Sequence, residues 1–341
     1  MIVKKIPILQ GFPALETVKY LSNTKNELSE YNPIFYDIET TGLSRYTAFV
    51  YLIGAVRFEE NQWMLYQWMG EDENEEVLVL QEFASFLTNA DCTIQYNGNR
   101  FDQPFLEERY RKHKMDTPFK EILSLDLYQL LKPCQSLFKL SKMKQPDLEN
   151  FVGIHNRKYC DGGQCIRLYK TFMKKKDPEA ANIVMGHNEE DLLGLGTIFS
   201  LLAYKKLYDG EYHPKQCVIL EQELKIVIEL SAAAAPVNVS CGNSDFYLSV
   251  NGYEARMLVH LKEGKLRQYY RNYKDYEFIP GEDTAMPKSI TRYMDKSLKI
   301  ATTPQTCYTW FNCDEDFLNN EKKQMQYLTH TLPFFLDNLN K

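Results

Sequence analysis

An apolar strand with two carboxylates on one face is the feature of this 341-residue chain that most limits its fold. Ile34 to Glu39 reads as a short buried strand, opened by Pro33 and stopped by Thr40-Thr41-Gly42. Side chains alternate along a strand, so Asp37 and Glu39 point the same way. Like charges placed together repel, and burial raises the cost of each. Either the strand end is solvated or a divalent cation removes the conflict. Carboxylate oxygens suit Mg²⁺ or Mn²⁺.

Two later motifs supply further acids. Asn97-Gly98-Asn99-Arg100-Phe101-Asp102 follows a strand expected over 92–96 and opens a helix expected over 102–113. Asp102 there is either a helix cap or a ligand at a strand-to-helix junction. Asn97 either orients a substrate or fixes the turn. His187-Asn188-Glu189-Glu190-Asp191 begins a helix expected over 187–207, with Leu192, Leu195, Ile198 and Leu202 on its core face. His187 and Asp191 share a helical face at i, i+4. They form either an ordinary pair or a base beside a metal ligand, a role that suits histidine near neutral pH.

Together the D-x-E, N-x₃-F-D and H-x₃-D motifs resemble the DEDD superfamily of 3′–5′ exonucleases, which share the RNase H-like fold. The chain is more similar still to the YprB-like family of RNase H-like nucleases. That likeness rests on Asp37-Ile38-Glu39-Thr40-Thr41-Gly42-Leu43, Tyr51-Leu52-Ile53-Gly54, Tyr96-Asn97-Gly98 with Phe101-Asp102, and His187-Asn188-x-x-Asp191. It covers about the first 205 residues.

The resemblance implies a cage of Asp37, Glu39, Asp102 and Asp191 around two Mg²⁺ or Mn²⁺ ions about 3.5–4 Å apart. His187 would accept the proton of the attacking water or orient it. Thr40, Thr41, Gly42 and Leu43, with Asn97 and Phe101, would meet the terminal nucleotide. The histidine branch of the group spaces its histidine five residues before the last aspartate, and the tyrosine branch uses four. His187 has the second spacing, and one residue on a helix turns a side chain by about 100°.

Strands expected at 34–39, 49–58, 62–69 and 92–96 and a short element at 123–131 give an RNase H-like, mixed five-stranded sheet. Helices are expected at 75–87, 146–152 and 164–175 besides the two above. Asp126 would cap a helix or support a ligand. Asp161-Gly162-Gly163 reads as a turn. Cys160 and Cys165 have no matching partner pair, so the eight cysteines read as reduced thiols of a cytoplasmic protein. Met1 to Pro13 is too weakly apolar for a signal peptide, and no apolar run reaches the roughly 20 residues of a spanning helix. No membrane partner is expected.

After about Leu207 the composition changes. Asp209 to Pro214 reads as a linker between a domain at 1–207 and a smaller, β-rich α+β domain at 215–341. Asp245–Leu248, Ala255–Leu261 and Lys265–Tyr270 alternate like strands, with turns at Asn251-Gly252 and Glu263-Gly264. A helix over 314–331 and an apolar tail at Pro333-Phe334-Phe335-Leu336 follow. The run Tyr269-Tyr270-Arg271-Asn272-Tyr273-Lys274-Asp275-Tyr276 is either a half-buried strand pair or a platform for stacked bases.

The formal net charge of −6 is awkward for a nucleic-acid enzyme, but an enzyme acting on short or single-stranded 3′ ends would not need a broad basic footprint. The expectation is a two-metal 3′–5′ exonuclease acting on DNA or RNA. An RNase H-like endonuclease or structure-specific nuclease is the alternative on the same cage. A nucleic-acid-binding protein with a vestigial site is the non-catalytic one.

Overall fold

The computed structural model describes residues 1–22, 31–155, 157–159, 162–231 and 233–339. They divide into two compact units, Met1–Lys132 with Lys142–Ser200, and Pro133–Ser141 with Leu201–Lys341.

The first unit runs β1 (Ile2–Ile8), α1 (Leu15–Leu21), β2 (Pro33–Thr40), β3 (Val50–Glu59), β4 (Gln62–Met69), α2 (Glu76–Phe86), β5 (Cys92–Gln95), α3 (Asp102–Lys112), β6 (Leu123–Asp126), α4 (Leu127–Leu131), α5 (Gln145–Phe151), α6 (Gly162–Lys175) and α7 (Pro178–Phe199). The sheet order is β1-β4-β3-β2-β5-β6. β2, β5 and β6 are parallel to one another, and the other pairs are antiparallel. The five expected strands are thus joined by a sixth, β1, which pairs with β4 from Ile2↔Met69 to Ile8↔Trp63. Pro7 and the two lysines of β1 suit an edge strand, where one ladder of backbone groups stays unpaired.

Strand alternation divides the core between the two faces. Ile34, Tyr36 and Ile38 of β2 pack with Val79, Leu80 and Phe83 of α2 and with Phe105 and Leu106 of α3. Leu52 and Met69 pack on the other face with Tyr169 and Phe172 of α6 and Val184 of α7. Phe35 lies on that second face, its ring 5.5 Å from Phe199 of α7. Asp37 and Glu39 therefore face α7 as well. Glu76 is buried at the start of α2, where its carboxylate accepts from Arg109 Nε (2.7 Å), Arg109 Nη2 (2.5 Å) and the Val50 amide (2.8 Å). This one buried acid, satisfied on both oxygens, ties α2, α3 and the start of β3 together.

Several expectations need correction. The helix expected from His187 starts at Pro178, with the Asp177 side chain accepting from the Glu179 amide at 3.0 Å. Asp before Pro is a strong helix start, because the cap oxygen and the missing proline N–H both suit the first turn. The third motif therefore sits in mid-helix, and α7 ends at Phe199 rather than continuing to 207. Gly162 and Gly163, expected in a turn, open α6. Cys160 and Asp161 lie outside the described residues. Asp126 caps α4 by accepting from the Tyr128 amide at 3.0 Å.

The second unit has α8 (Leu202–Asp209), β7 (Tyr212–Leu220), β8 (Glu223–Leu230), β9 (Ala235–Gly242), β10 (Phe246–Gly252), β11 (Glu254–His260), β12 (Lys265–Tyr269), β13 (Tyr276–Ile279), β14 (Thr284–Pro287), α9 (Lys288–Thr291), β15 (Ile300–Ala301), β16 (Tyr308–Asn312), α10 (Glu315–Leu318) and α11 (Glu321–Asp337). Its main sheet, β7-β8-β11-β10-β9, is antiparallel throughout. The stretch expected as a linker is instead a tight reversal. Gly210, at φ 76°, ends α8, and β7 begins two residues later.

The expected helix over 314–331 is two helices, and the apolar tail belongs to the second. α11 continues through Pro333, which costs about 3 kcal/mol in a helix interior. Burial of Leu328, Leu332, Phe335 and Leu336 on one face offsets that cost. Among the described residues, no helix is long and apolar enough to cross a membrane.

Candidate active site

Three elements bring the acidic residues together. Asp37 and Glu39 stand on β2, Asp102 on the first turn of α3, and His187 with Asp191 on successive turns of α7. His187 Nε2 lies 3.3 Å from Asp191 Oδ2 and 3.5 Å from Glu39 Oε1. One ligand atom from each of Glu39, His187 and Asp191 falls within 4.8 Å of the others. Glu39, Asp102 and His187 are buried, while Asp37 and Asp191 are partly exposed.

The carboxylates sense one another strongly. Burial, then the charges of Asp191, Asp102 and Glu39, raise Asp37 well above its ordinary range, against a hydrogen bond from Asn188. Burial and Asp191 push Glu39 up to about 8. Burial pushes Asp102 up to about 7, although bonds from its own backbone and that of Ile38 oppose the rise. Acids that share one buried field are relieved either by keeping protons or by a bound cation. Two buried donors, on Glu39 and His187, and one half-buried donor, on Asp191, fit a divalent ion at these spacings.

A row across the sheet holds Asp37 in place. Asp37 pairs with Gly54 of β3, and Gly54 pairs with Gln67 of β4. Asn188 spans the gap above Gly54. Its Nδ2 donates to Asp37 Oδ2 (2.9 Å), and its Oδ1 accepts from Gln67 Nε2 (2.9 Å). Gln67 also donates to the Met185 carbonyl at 2.8 Å. A Cβ on Gly54 would lie 2.0 Å from Asn188 Oδ1 and 2.6 Å from Leu192 Cδ1. Gly54→Ala should therefore push α7 off the sheet and cost about 1–3 kcal/mol. Thermal unfolding checks this, and an unchanged midpoint would show that Asn188 can yield.

A β-bulge sets Glu39. The register shifts between Glu39, opposite Leu52, and Thr40, opposite Val50. The unpaired Tyr51 thereby turns to the same face as Leu52, a common use of bulges beside sites. Tyr51 stacks on Tyr169 of α6 (3.8 Å between centroids, 10° between planes) and donates to Glu39 Oε2 at 3.3 Å. Asp126 likewise sets the second motif, accepting from the amides of Asn97 (2.9 Å) and Asn99 (3.2 Å).

The sequence motifs did not single out Asn188, Gln67 or Tyr51 as members of the site. Asn188 and Tyr51 stand in the motif strings without a role of their own, Gln67 stands in none, and Gly54 is a glycine inside an apolar strand, where a close approach is the usual reason.

The expected substrate contacts are dispersed. Thr40 is buried and donates to the Gly42 carbonyl, Thr41 pairs with Phe49, and Leu43 is 86% exposed. Asn97 occupies the left-handed region at φ 58°, which asparagine tolerates. Phe101 packs against the core, its ring 5.5 Å from Phe105. In the second unit Tyr269 stacks on Phe334, and Tyr270 stacks on Tyr276 and contacts Thr309 through its hydroxyl. Both of these tyrosines are engaged within that unit.

Residues 34–203 match the family model of the RNase_H superfamily. This part of the chain is an RNase H-like domain. The chain is also 29% identical over 192 residues to the uncharacterized protein YprB of Bacillus subtilis (strain 168), covering 54% of this chain and 45% of that protein. Among solved structures, the family B DNA polymerase from the hyperthermophilic archaeon Pyrobaculum calidifontis aligns over 91% of this chain and 46% of its own, with 11% identity and a TM-score of 0.42. The chain spans less than half the length of either protein. In this RNase H-like domain the acidic cluster is built from β2, α3 and α7.

Proposed function

We propose that the chain is a metal-dependent nuclease that removes nucleotides from the 3′ ends of DNA or RNA strands. The observation that carries this reading is the convergence of Glu39, His187 and Asp191 on one point, within the field of Asp37 and Asp102. Asp37, Glu39, Asp102 and Asp191 would hold two Mg²⁺ or Mn²⁺ ions. When bound, such ions polarise a phosphoryl oxygen and make water a nucleophile near neutral pH.

The chain's own groups do the rest. Water attacks phosphorus, the bond from phosphorus to the 3′ oxygen breaks, and that oxygen leaves protonated. His187 presents Nε2 to the cluster, where it accepts the proton of the water or orients it. The Asn188–Gln67 pair keeps Asp37 aimed at the cage, and Tyr51 does the same for Glu39. Buried strands and helices carry these groups, so their geometry is set before substrate arrives. The exposed Leu43 edge of the loop after β2 is free to meet the terminal nucleotide.

The test is cleavage of 5′-labelled single-stranded DNA and RNA oligomers with Mn²⁺, with EDTA as control. Stepwise shortening supports an exonuclease and identifies its sugar. A single internal cut would replace this reading with an endonuclease. Cleavage that persists in EDTA would refute metal dependence.

A further inference from the structure

One cation is built into the carboxylate cluster. Arg157 lies between α5 and α6, and its Nη1 donates to Asp191 Oδ1. The other oxygen of Asp191, Oδ2, faces His187 Nε2 at 3.3 Å. Asp191 thus divides its two oxygens, one to the arginine and one to the cluster. The guanidinium is fixed from behind by a two-point fork, with Nε 2.8 Å from Glu149 Oε2 and Nη2 2.6 Å from Glu149 Oε1.

Glu149 is itself locked. It is 2% exposed. Gln145 Nε2 donates both to Glu149 Oε1 (2.9 Å) and to the Asp191 carbonyl (2.7 Å). Gly194, one turn beyond Asp191, makes the room, since a Cβ there would lie 1.9 Å from Glu149 Oε1. The stretch around Arg157 is also anchored to α7. Glu190 accepts from the amides of Lys158 (2.7 Å) and Tyr159 (3.2 Å), and the Tyr159 ring occupies the space a Cβ on Gly186 would need.

We propose that Arg157, backed by Glu149, is a positioning residue that holds Asp191 as a one-oxygen metal ligand turned toward Glu39 and His187. This rests on the metal-site reading above. Glu149 cancels the charge of the guanidinium, so the pair adds no net charge to the cage. Its contribution is orientation, the usual work of groups that hold a ligand from outside the coordination sphere. A lysine cannot replace it. One ammonium cannot both fork onto Glu149 and reach Asp191.

The test is Mn²⁺ binding to the full chain, followed by the loss of the free-ion signal in electron paramagnetic resonance. Arg157→Gln should raise the Mn²⁺ Kd about tenfold or more, and Arg157→Lys should recover little of it. Glu149→Gln should weaken binding further, because it leaves an uncancelled guanidinium beside the cage. Unfolding midpoints in EDTA control for folding, and the two Arg157 variants carry the test if Glu149→Gln does not fold. In cleavage, kcat should fall while KM for the oligomer holds. Unchanged Mn²⁺ affinity in folded Arg157 variants would overturn the proposal, and tighter binding would show that the arginine competes with the ion. Wild-type protein that binds Mn²⁺ but cleaves nothing would refute the nuclease reading and leave the Kd series to decide this one. Wild-type protein that binds no Mn²⁺ would overturn both.

Discussion

Asp37→Ala should lose more than about 100-fold in the rate of oligomer cleavage, beyond what loss of a group outside the coordination sphere costs. Asp37 is the acid on which the charges of Asp191, Asp102 and Glu39 all act, so it stands centrally in the cluster. Its removal would take a ligand from the proposed cage and opens the end of the Asn188–Gln67 bridge. The fold should survive. The neighbours Tyr36 and Ile38 carry the packing against α2 and α3, and the Asp37 side chain takes no part in it. An unfolding midpoint at or above wild type, with cleavage gone, is the expected pair of results. Cleavage at the wild-type rate would refute the mechanism.

Stripped of metal, the protein should lose stability as pH rises through the neutral range. Glu39 stands at about 8 against an ordinary 4.5, and Asp102 at about 7 against 3.8, with burial the leading cause in both. Below about pH 4 these carboxyls are protonated whether folded or unfolded, and nothing is lost. Between that point and about pH 8 the unfolded chain gives up protons that the folded chain keeps, so ionisation favours unfolding. For these two buried acids the loss is on the order of a few kcal/mol. A bound ion reverses it, by about 2.7 kcal/mol at a hundredfold excess over Kd. Melting curves in EDTA from pH 5 to 8 should therefore fall, curves in Mn²⁺ should fall less or rise, and Asp37→Asn should melt above wild type in EDTA. A flat or rising EDTA curve would show that the cluster is not strained.

The part of the site that follows from local rules was legible in the sequence. Strand alternation put Asp37 and Glu39 on one face, and helical spacing put His187 beside Asp191, where their side-chain atoms lie 3.3 Å apart. The supporting groups depend on contacts distant in sequence. Asn188 stands in the third motif, but nothing local says that it reaches over Gly54 to Asp37. Arg157 comes from a stretch with no periodicity, and its partner Glu149 reads from sequence as an ordinary helical acid.

The misread boundaries have similar causes. The helix that carries the histidine motif begins nine residues before His187, at the Asp177-Pro178 cap. No strand was expected at β1, which carries Pro7 and two lysines, and its edge position tolerates them. In the second unit, the apolar face of α11 carried the helix past a proline that by local rules should end it.

The most direct test of the central claim is anomalous diffraction from crystals of the protein soaked in Mn²⁺. The account predicts manganese peaks bounded by Asp37, Glu39, Asp102 and Asp191, lost in Asp37→Ala. Peaks only elsewhere on the molecule, or none at millimolar Mn²⁺, would contradict it.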